Sequence, residues 1–232
     1  EQIHDYKIFS NKGYAIGKVN GLAVLSSRNT ITSSGIVMPI VAEVTPASSR
    51  AEGKLIATGE LGKQAKEAVK NISAVIKRHM HRDFASYDIH VQFILQAASG
   101  VEGDSASVSV AVAVISAMEG IPVSKEAAMT GSLDVRGNVL PVGGVTAKVE
   151  AAIDAKLKYV IIPASNKDDV YLDKDKLKKI KIVYAKNIAD VLEYALKKSE
   201  RRDKIIKELR NYLLTDYKEK EPLIIQPDQQ KK

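Results

Sequence analysis

Three serines stand at alternating positions in the stretch VEGDSASVSVAVAVISAMEG, and they are Ser105, Ser107 and Ser109. A serine hydroxyl becomes a useful nucleophile when a neighbouring base accepts its proton, and histidine is the usual base. All the histidines of the chain precede these serines: His4, His79, His81 and His90. The α/β-hydrolase order of serine, acid and histidine is therefore impossible. A chymotrypsin-like order also fails, because Asp104 is the only aspartate between His90 and Ser105.

Lysine is the alternative base, because a neutral amine can accept a serine proton. A free lysine side chain has a pKa of about 10.4. Burial must lower this pKa toward about 7–8 before the amine serves as a base. Lys148 has a suitable setting, since it follows Gly143 and Gly144 and lies in the first turn of the predicted helix TAKVEAAIDAKL. The positive end of the helix dipole also disfavours its charged form. Lysines in such positions commonly extend into solvent, so the pattern nominates Lys148 without assigning it.

Metal and nucleotide chemistry have little support in the sequence. His79 and His81 are two apart on a predicted helix and point to different sides, and cysteine is absent. The stretch GELGKQ lacks the first glycine and the Ser/Thr of a phosphate-binding loop. The sequence therefore predicts no metal or cofactor site in this chain.

The chain has 232 residues, a net charge of +7, 45% hydrophobic residues and 27% charged residues, as in an ordinary globular protein. Much of the positive excess follows residue 170, in KDKLKKIK and KKSERRDKIIKELR. The second stretch has apolar residues at helical spacing and predicts an amphipathic helix with a solvated face. Aromatic residues do not interleave with the lysines of KDKLKKIK, so a requirement for nucleic acid is not expected.

The order of predicted elements favours an α/β layer architecture. Strands are predicted in GYAIGKVNGLAVLSS, GIVMPIVAEVTPASS, GKLIATGELG and DIHVQFILQA, with a helix in QAKEAVKNISAVIKRHM. Downstream, IPVSKEAAMTGSLDVRGNVLPVGG predicts a short helix, a strand, a turn at Arg136–Asn138 and a second strand. Thr146 is a candidate N-cap of the next helix, and strands KYVIIPAS and KIVYAKN precede a helix in IADVLEYALKK.

The run from Ser107 to Val114 allows two interpretations. Its alternation of small residues with valine favours a strand. Its continuation through ISAME to Gly120 favours a buried helix that ends at a glycine. The residues alone leave this choice open.

Several motifs together resemble the proteolytic domain of Lon proteases, of the archaeal membrane-associated type. They are EGDSAS, MTGSLDVRGNVLPVGGVTAKVEAA and YVIIPASN, with YAIGKVNGLAV, GKLIATGELG and DIHVQF upstream in the expected order, over roughly residues 10–195. The resemblance implies a compact α/β (α+β layered) fold with mixed sheets and packed helices, in which the serine opens a helix. It implies Ser105 as nucleophile and Lys148 as general base, 43 positions apart.

The same resemblance assigns supporting residues. Thr130 is expected to hydrogen-bond the lysine amine and orient it. Asp104 replaces the proline of the bacterial-type motif, and a carboxylate there would favour a protonated lysine if the two paired. We therefore expect Asp104 to point away from the dyad or to restrain activity, and Glu102 is a candidate for the same role. His90 is interpreted as structural. Ser107 and Ser109 are predicted to serve packing.

The implied activity is that of a serine endopeptidase that degrades unfolded or misfolded proteins through an acyl-enzyme. An ATPase module of the same full-length chain, using ATP and Mg, is expected outside this sequence, as are a homo-hexameric ring and a membrane anchor that keeps the domain on the cytoplasmic side. The expected organisation is a proteolytic domain over residues 1–198, a charged helix over 199–221 and a disordered tail over 222–232. The alternative is a non-catalytic Lon-like domain for assembly or nucleic-acid interaction in a larger ATPase.

Overall fold

The computed structural model describes residues 11–25, 34–48, 53–58, 62–79, 84–94 and 104–215. The strands are β1 Tyr14–Ala15, β2 Lys18–Leu25, β3 Ser34–Pro46, β4 Leu55–Thr58, β5 Tyr87–Phe93, β6 Val123–Ser124, β7 Ala127–Met129, β8 Ser132–Leu133, β9 Val139–Leu140, β10 Tyr159–Pro163 and β11 Lys181–Ala185. The helices are α1 Gly62–His79, α2 Ser107–Glu119, α3 Val145–Asp154, α4 Lys174–Leu177, α5 Ile188–Ala195 and α6 Glu200–Thr215. Short 3-10 turns cover Phe84–Ser86, Asp104–Ala106 and Ala164–Asp169.

A seven-stranded mixed sheet forms the centre, in the order β11-β10-β7-β2-β3-β5-β4. The four strands β11, β10, β7 and β2 run parallel, whereas β3 runs antiparallel to both β2 and β5. Two small ribbons, β1–β6 and β8–β9, lie beside the main sheet. This mixed α/β architecture confirms the predicted fold class.

The sheet buries both of its faces, and the alternation of side chains along β2 shows how. Val19 and Ala23 belong to the core cluster that contains α1, α2, α5 and α6. Leu22 belongs to a second core cluster that contains α3. Successive side chains of a strand point to opposite faces, so α2 and α3 cover opposite sides of the same sheet.

The ambiguous run is a helix, as the resemblance implied and against its own periodicity. Helix α2 ends at Gly120, whose φ of 66° is the left-handed conformation of a glycine C-cap. Every residue from Ser107 to Ser116 is buried. A helix that is apolar on all sides is stable only when it is enclosed, and α2 lies between the sheet, α1 and α5. The two-residue alternation therefore reflects a need for small side chains in a crowded helix.

The short helix predicted in the first part of IPVSKEAAMTGSLDVRGNVLPVGG is wrong. This stretch contains β6 and β7 instead, and Ala127–Met129 pairs with β10 and β2 in the middle of the parallel sheet. All three residues of β7 are fully buried. Helix-favouring residues form a strand here because pairing with two neighbouring strands and complete burial outweigh the local helix propensity. The predicted turn is present, as the loop between β8 and β9.

Helix α6 packs on the core through Ile205, Ile206 and Leu209. Its Arg201 also donates two hydrogen bonds, of 3.0 and 2.6 Å, to the buried carboxylate of Glu119 at the end of α2. The proposed division of the chain at residue 198 stays a prediction, and residues 222–232 lie outside the described residues. Within the described ranges, no helix combines the length and the apolar composition that a membrane crossing needs.

Candidate functional site

The carboxyl ends of β2, β7 and β10 form one edge of the sheet, which we call the carboxyl edge. The register pairs Gly21 with Met129 and Ile161 with Met129, so the three parallel strands point to the same edge, although β2 and β10 continue past the level at which β7 ends. The loops that follow parallel strands at such an edge are a common location for functional side chains. Thr130 follows β7 directly, and its N–H donates to the carbonyl of Ile161 over 3.0 Å.

Ser105 is fixed to this edge through its main chain. It lies in the 3-10 turn Asp104–Ala106, directly before α2, and is partly exposed. Its carbonyl accepts a hydrogen bond from the Thr130 hydroxyl over 3.2 Å and another from the Gly131 N–H over 3.1 Å. The segment after β7 therefore sets the backbone position of Ser105.

The other two serines do more than the predicted packing. The Ser107 hydroxyl accepts a hydrogen bond from the Leu133 N–H over 3.0 Å and donates to the Gly131 carbonyl over 3.4 Å. The Ser109 hydroxyl donates to the Met129 carbonyl over 3.1 Å. Both side chains are buried. They join α2 to consecutive parts of the segment 129–133, so both serines serve hydrogen bonding as well as packing.

Lys148 comes to the carboxyl edge from the opposite layer. It lies in α3, its side chain is only 3% exposed, and the surrounding buried residues of the helix are Val145, Val149 and Ala152. A lysine buried to this extent is rare unless its amine has a specific use or partner. This burial matches the setting that the sequence required of a general base.

Close contacts fix α3 against β2 and β3. A Cβ on Gly144 would lie 2.5 Å from Cγ2 of Val24, and a Cβ on Gly35 would lie 2.0 Å from the carbonyl oxygen of Ala147. Val24 lies near the carboxyl end of β2, so the start of α3 is next to the edge that holds Ser105. The structure thus brings the elements that carry Ser105 and Lys148 to the same edge, one from each side of the sheet.

The prediction of Thr146 as the N-cap of α3 is wrong. The N-cap is Gly144, in the left-handed conformation with φ 66°, and it has no side-chain cap. The Thr146 hydroxyl instead donates to the Asp169 carbonyl over 2.9 Å and accepts from the Tyr171 N–H over 3.0 Å. Thr146 therefore attaches the first turn of α3 to the segment that follows β10.

The structure describes only some of the predicted supporting residues. The Thr130 hydroxyl donates a hydrogen bond to the Ser105 carbonyl, and its oxygen can still accept a hydrogen bond from an amine. The contact of Thr130 with Lys148 stays a prediction. Glu102 and the side chain of Asp104 lie outside the described residues, so their regulatory role also stays a prediction. His90 is an exposed residue of β5, which is not a strand of the carboxyl edge.

Sequence reasoning missed Asn166, the last residue of the motif YVIIPASN. Its amide is 3% exposed and makes three hydrogen bonds, to the N–H and carbonyl of Val142 and to the Asp169 carboxylate. A polar residue in the turn that follows a buried strand was the available signal. The described ranges contain no group of three or more His, Cys, Asp or Glu side chains suited to a metal ion.

Comparisons with known proteins indicate one family. The family described as Lon protease (S16) C-terminal proteolytic domain matches residues 3–198. An archaeal Lon protease of Pyrococcus abyssi is 55% identical over 213 residues, which are 92% of this chain and 21% of the relative. One of Thermococcus kodakarensis is 54% identical over 92% of this chain and 33% of the relative. A bacterial Lon protease, of Geobacter metallireducens, is 42% identical over 63% of this chain.

The chain thus spans between a fifth and a third of the length of these archaeal relatives. The family match covers the sheet, both layers that meet at the carboxyl edge, and the positions of Ser105 and Lys148. The chain belongs to the Lon family of serine peptidases, as a C-terminal proteolytic domain.

Proposed function

We propose that Ser105 and Lys148 are the catalytic dyad of a serine endopeptidase. The observation that carries this assignment is the buried Lys148 side chain, on the helix that reaches the edge where Ser105 is held. Burial removes the ammonium form from water, which favours a neutral amine able to accept a proton. The two side chains therefore have the chemistry that peptide-bond cleavage requires without histidine.

The reaction proceeds through an acyl-enzyme. Ser105 Oγ attacks the peptide carbonyl carbon while its proton passes to Lys148 Nζ, and a tetrahedral oxyanion forms. Backbone N–H groups near Asp104 and Ser105, at the start of α2, stabilise this negative charge. The C–N bond then breaks as Lys148 returns the proton to the leaving amine. Water attacks the ester by the same proton route and releases Ser105.

Substitution of each dyad member tests the assignment. Ser105→Ala and Lys148→Ala should each lower cleavage of fluorescently labelled casein and of a short peptide by at least about 10³-fold. Ser109→Ala is the matched control, because it removes a buried serine hydroxyl from α2, the helix that begins after the turn of Ser105, and this hydroxyl donates to the Met129 carbonyl. Parent-like cleavage by both dyad variants would show that the dyad is assigned to the wrong residues.

The full-length protein is proposed to contain an ATPase module and to form a hexameric ring that degrades unfolded polypeptides. The support is the greater length of the archaeal Lon relatives and the resemblance of the motifs to that family. ATP and Mg would bind in that module, outside this chain. The test compares casein cleavage by the full-length protein with and without Mg-ATP and measures its mass by light scattering. The proposal would be contradicted if the protein were a monomer and cleaved casein at the same rate with and without Mg-ATP.

The finer proposal is that the full-length protein is of the membrane-associated archaeal type. Its anchor would lie in a segment outside this chain and keep the proteolytic domain on the cytoplasmic side. The motifs quoted above and the archaeal relatives support this type. Membranes of cells that contain the full-length protein should retain it after an alkaline wash. Recovery of the protein in the wash would argue against an anchor.

A further inference from the structure

Asn166 pairs with Val142 in the way that a neighbouring strand would. Its Oδ1 accepts from the Val142 N–H over 2.9 Å, and its Nδ2 donates to the Val142 carbonyl over 3.0 Å. One side chain therefore satisfies both main-chain groups of Val142. Val142 lies just before the glycine pair that leads into α3.

Asp169 determines which way the Asn166 amide faces. The Nδ2 group donates a second hydrogen bond, of 2.8 Å, to the Asp169 carboxylate. A carboxylate accepts and cannot donate at neutral pH, so the amide nitrogen must face it and the amide oxygen must face the Val142 N–H. The 3-10 turn that contains both residues thereby presents a fixed, bidentate partner to the chain before α3.

A second contact holds the chain after the glycine pair. The Thr146 hydroxyl bonds to the carbonyl of Asp169 and to the N–H of Tyr171, over 2.9 and 3.0 Å. The segment 166–171 therefore attaches at Val142 on one side of the glycines and at Thr146 on the other. We call this arrangement the α3 clamp, and define it by Asn166, Asp169, Val142 and Thr146.

The glycine pair needs such a clamp. Gly144 is the N-cap of α3 and has no side chain to cap the helix, and nothing lies within 4 Å of a Cβ built on Gly143. Glycine has more backbone freedom than any other residue, so the pair by itself does not define where α3 begins. The Lys148 N–H donates to the Gly144 carbonyl over 3.1 Å, so the first turn moves with the glycine.

We propose that Asn166 is a positioning residue, which acts through Lys148. By holding Val142 it sets the start of α3 and hence the point at which the Lys148 amine meets the Ser105 hydroxyl. This inference rests on the proposed dyad. A proton transfer is sensitive to displacements below about 1 Å, so loosening the clamp lowers the rate of acylation more than it weakens binding of the peptide.

Asn166→Ala should lower kcat for peptide cleavage by about 10- to 100-fold while KM changes by less than about threefold. Asn20→Ala is the matched control. Asn20 is also 3% exposed, and its Nδ2 donates to the carbonyls of Lys125 and Ala127, at the amino end of β7. Both variants lose a buried amide and should lose similar stability, but only Asn166→Ala should lose kcat. Rates are compared at a temperature at which circular dichroism shows both variants folded.

Thr146→Val provides a milder variant in case Asn166→Ala does not fold. It keeps the shape of the side chain and removes the two hydrogen bonds of the second contact. Its kcat should fall by about threefold to tenfold, with KM again little changed. Parent-like kcat in a folded Asn166→Ala, or in Thr146→Val if Asn166→Ala does not fold, would overturn the proposal.

A double-mutant cycle shows whether Asn166 acts through the lysine. The readout is covalent labelling of Ser105 by a fluorophosphonate, followed by intact mass, because slow labelling stays measurable in weak variants. In this reaction the Oγ–P bond forms, fluoride leaves and the serine proton goes to the base. Added to the parent sequence, Asn166→Ala should slow the labelling of Ser105. Added to Lys148→Ala, it should change the labelling rate by less than about twofold.

The outcomes separate the two proposals. Equal effects of Asn166→Ala with and without Lys148, or an effect no larger than that of Asn20→Ala, would overturn the positioning role alone. Parent-like labelling in Lys148→Ala would instead overturn the dyad on which it rests.

Discussion

The hydroxyl of Thr130 and the main-chain carbonyl of Ser105 are joined by a hydrogen bond of 3.2 Å. Thr130 is 1% exposed, so this bond forms away from water. Thr130→Val keeps the shape and removes the hydroxyl, and the Gly131 N–H still serves the same carbonyl. We expect a loss of about 1 kcal/mol in unfolding free energy and about a tenfold loss in kcat.

Thr130→Ser is the control, because it keeps the hydroxyl. Its kcat should stay within about threefold of the parent. Equal kcat in the Val and Ser variants would show that the hydroxyl has no part in the reaction.

Ser107→Ala and Ser109→Ala should differ in stability although both remove a buried hydroxyl from α2. Without Ser107 the buried Leu133 N–H loses its acceptor, and an unsatisfied buried N–H costs about 1–3 kcal/mol. Without Ser109 only a carbonyl loses a partner, and carbonyls tolerate this better because they have two lone pairs. Urea unfolding should therefore show the larger loss for Ser107→Ala. The opposite ranking would contradict the role assigned to the Leu133 contact.

The two adjacent glycines before α3 should respond differently to alanine. Gly144 has φ 66°, and a Cβ there would lie 2.5 Å from Val24, whereas Gly143 has open space around it. Gly144→Ala should lower the unfolding free energy by about 1–3 kcal/mol and reduce kcat, because α3 must shift away from β2. Gly143→Ala should change the unfolding free energy by less than about 0.5 kcal/mol and kcat by less than about twofold. Thermal unfolding measures the stability of the two variants, and peptide cleavage measures their kcat.

Asp88 should make stability depend on pH on the acid side. Its carboxylate accepts hydrogen bonds from the N–H groups of Lys54 and Ser48, over 2.8 and 3.3 Å, and these hold its pKa below the ordinary 3.8, with the Lys54 bond as the main cause. A carboxyl whose pKa is lower in the folded state stabilises above its unfolded pKa, and the effect is lost as pH falls through the folded pKa. Asp88→Asn should thus be less stable than the parent at pH 7, with the gap narrowing below about pH 4. A gap that stays constant down to pH 2 in urea unfolding would contradict this.

Periodic patterns predicted the elements that have one buried face. In the helix predicted for QAKEAVKNISAVIKRHM, the apolar residues Ala65, Val69, Ile72, Ile76 and Met80 recur at helical spacing and predict one buried side. The first four are buried in α1, and Met80 lies outside the described residues. Of the residues predicted for the apolar face of α3, Val145, Val149 and Ala152 are buried and Ile153 is half-buried. A single hydrophobic stripe at helical spacing is informative because one side of such a helix remains in water.

The same reasoning failed where burial is complete. Helix α2 and strand β7 are enclosed on all sides, so no polar face marks their period, and their small residues fit either a helix or a strand. Resemblance to the family decided α2, and nothing in the sequence decided β7.

Ser105 and Lys148 were nominated by the absence of a downstream histidine and by the family motifs. The α3 clamp could not be predicted from the sequence, because Asn166 and Val142 are 24 residues apart and their pairing depends on the sheet order.

The enclosure of α2 limits how the position of Ser105, the proposed nucleophile, can be adjusted. A helix with ten consecutive buried residues, from Ser107 to Ser116, cannot slide or rotate without opening the core on both of its sides. Its amides should accordingly exchange with deuterium only through global unfolding. Realignment of Ser105 is then confined to its own side chain and to the torsions of the three-residue turn before the helix.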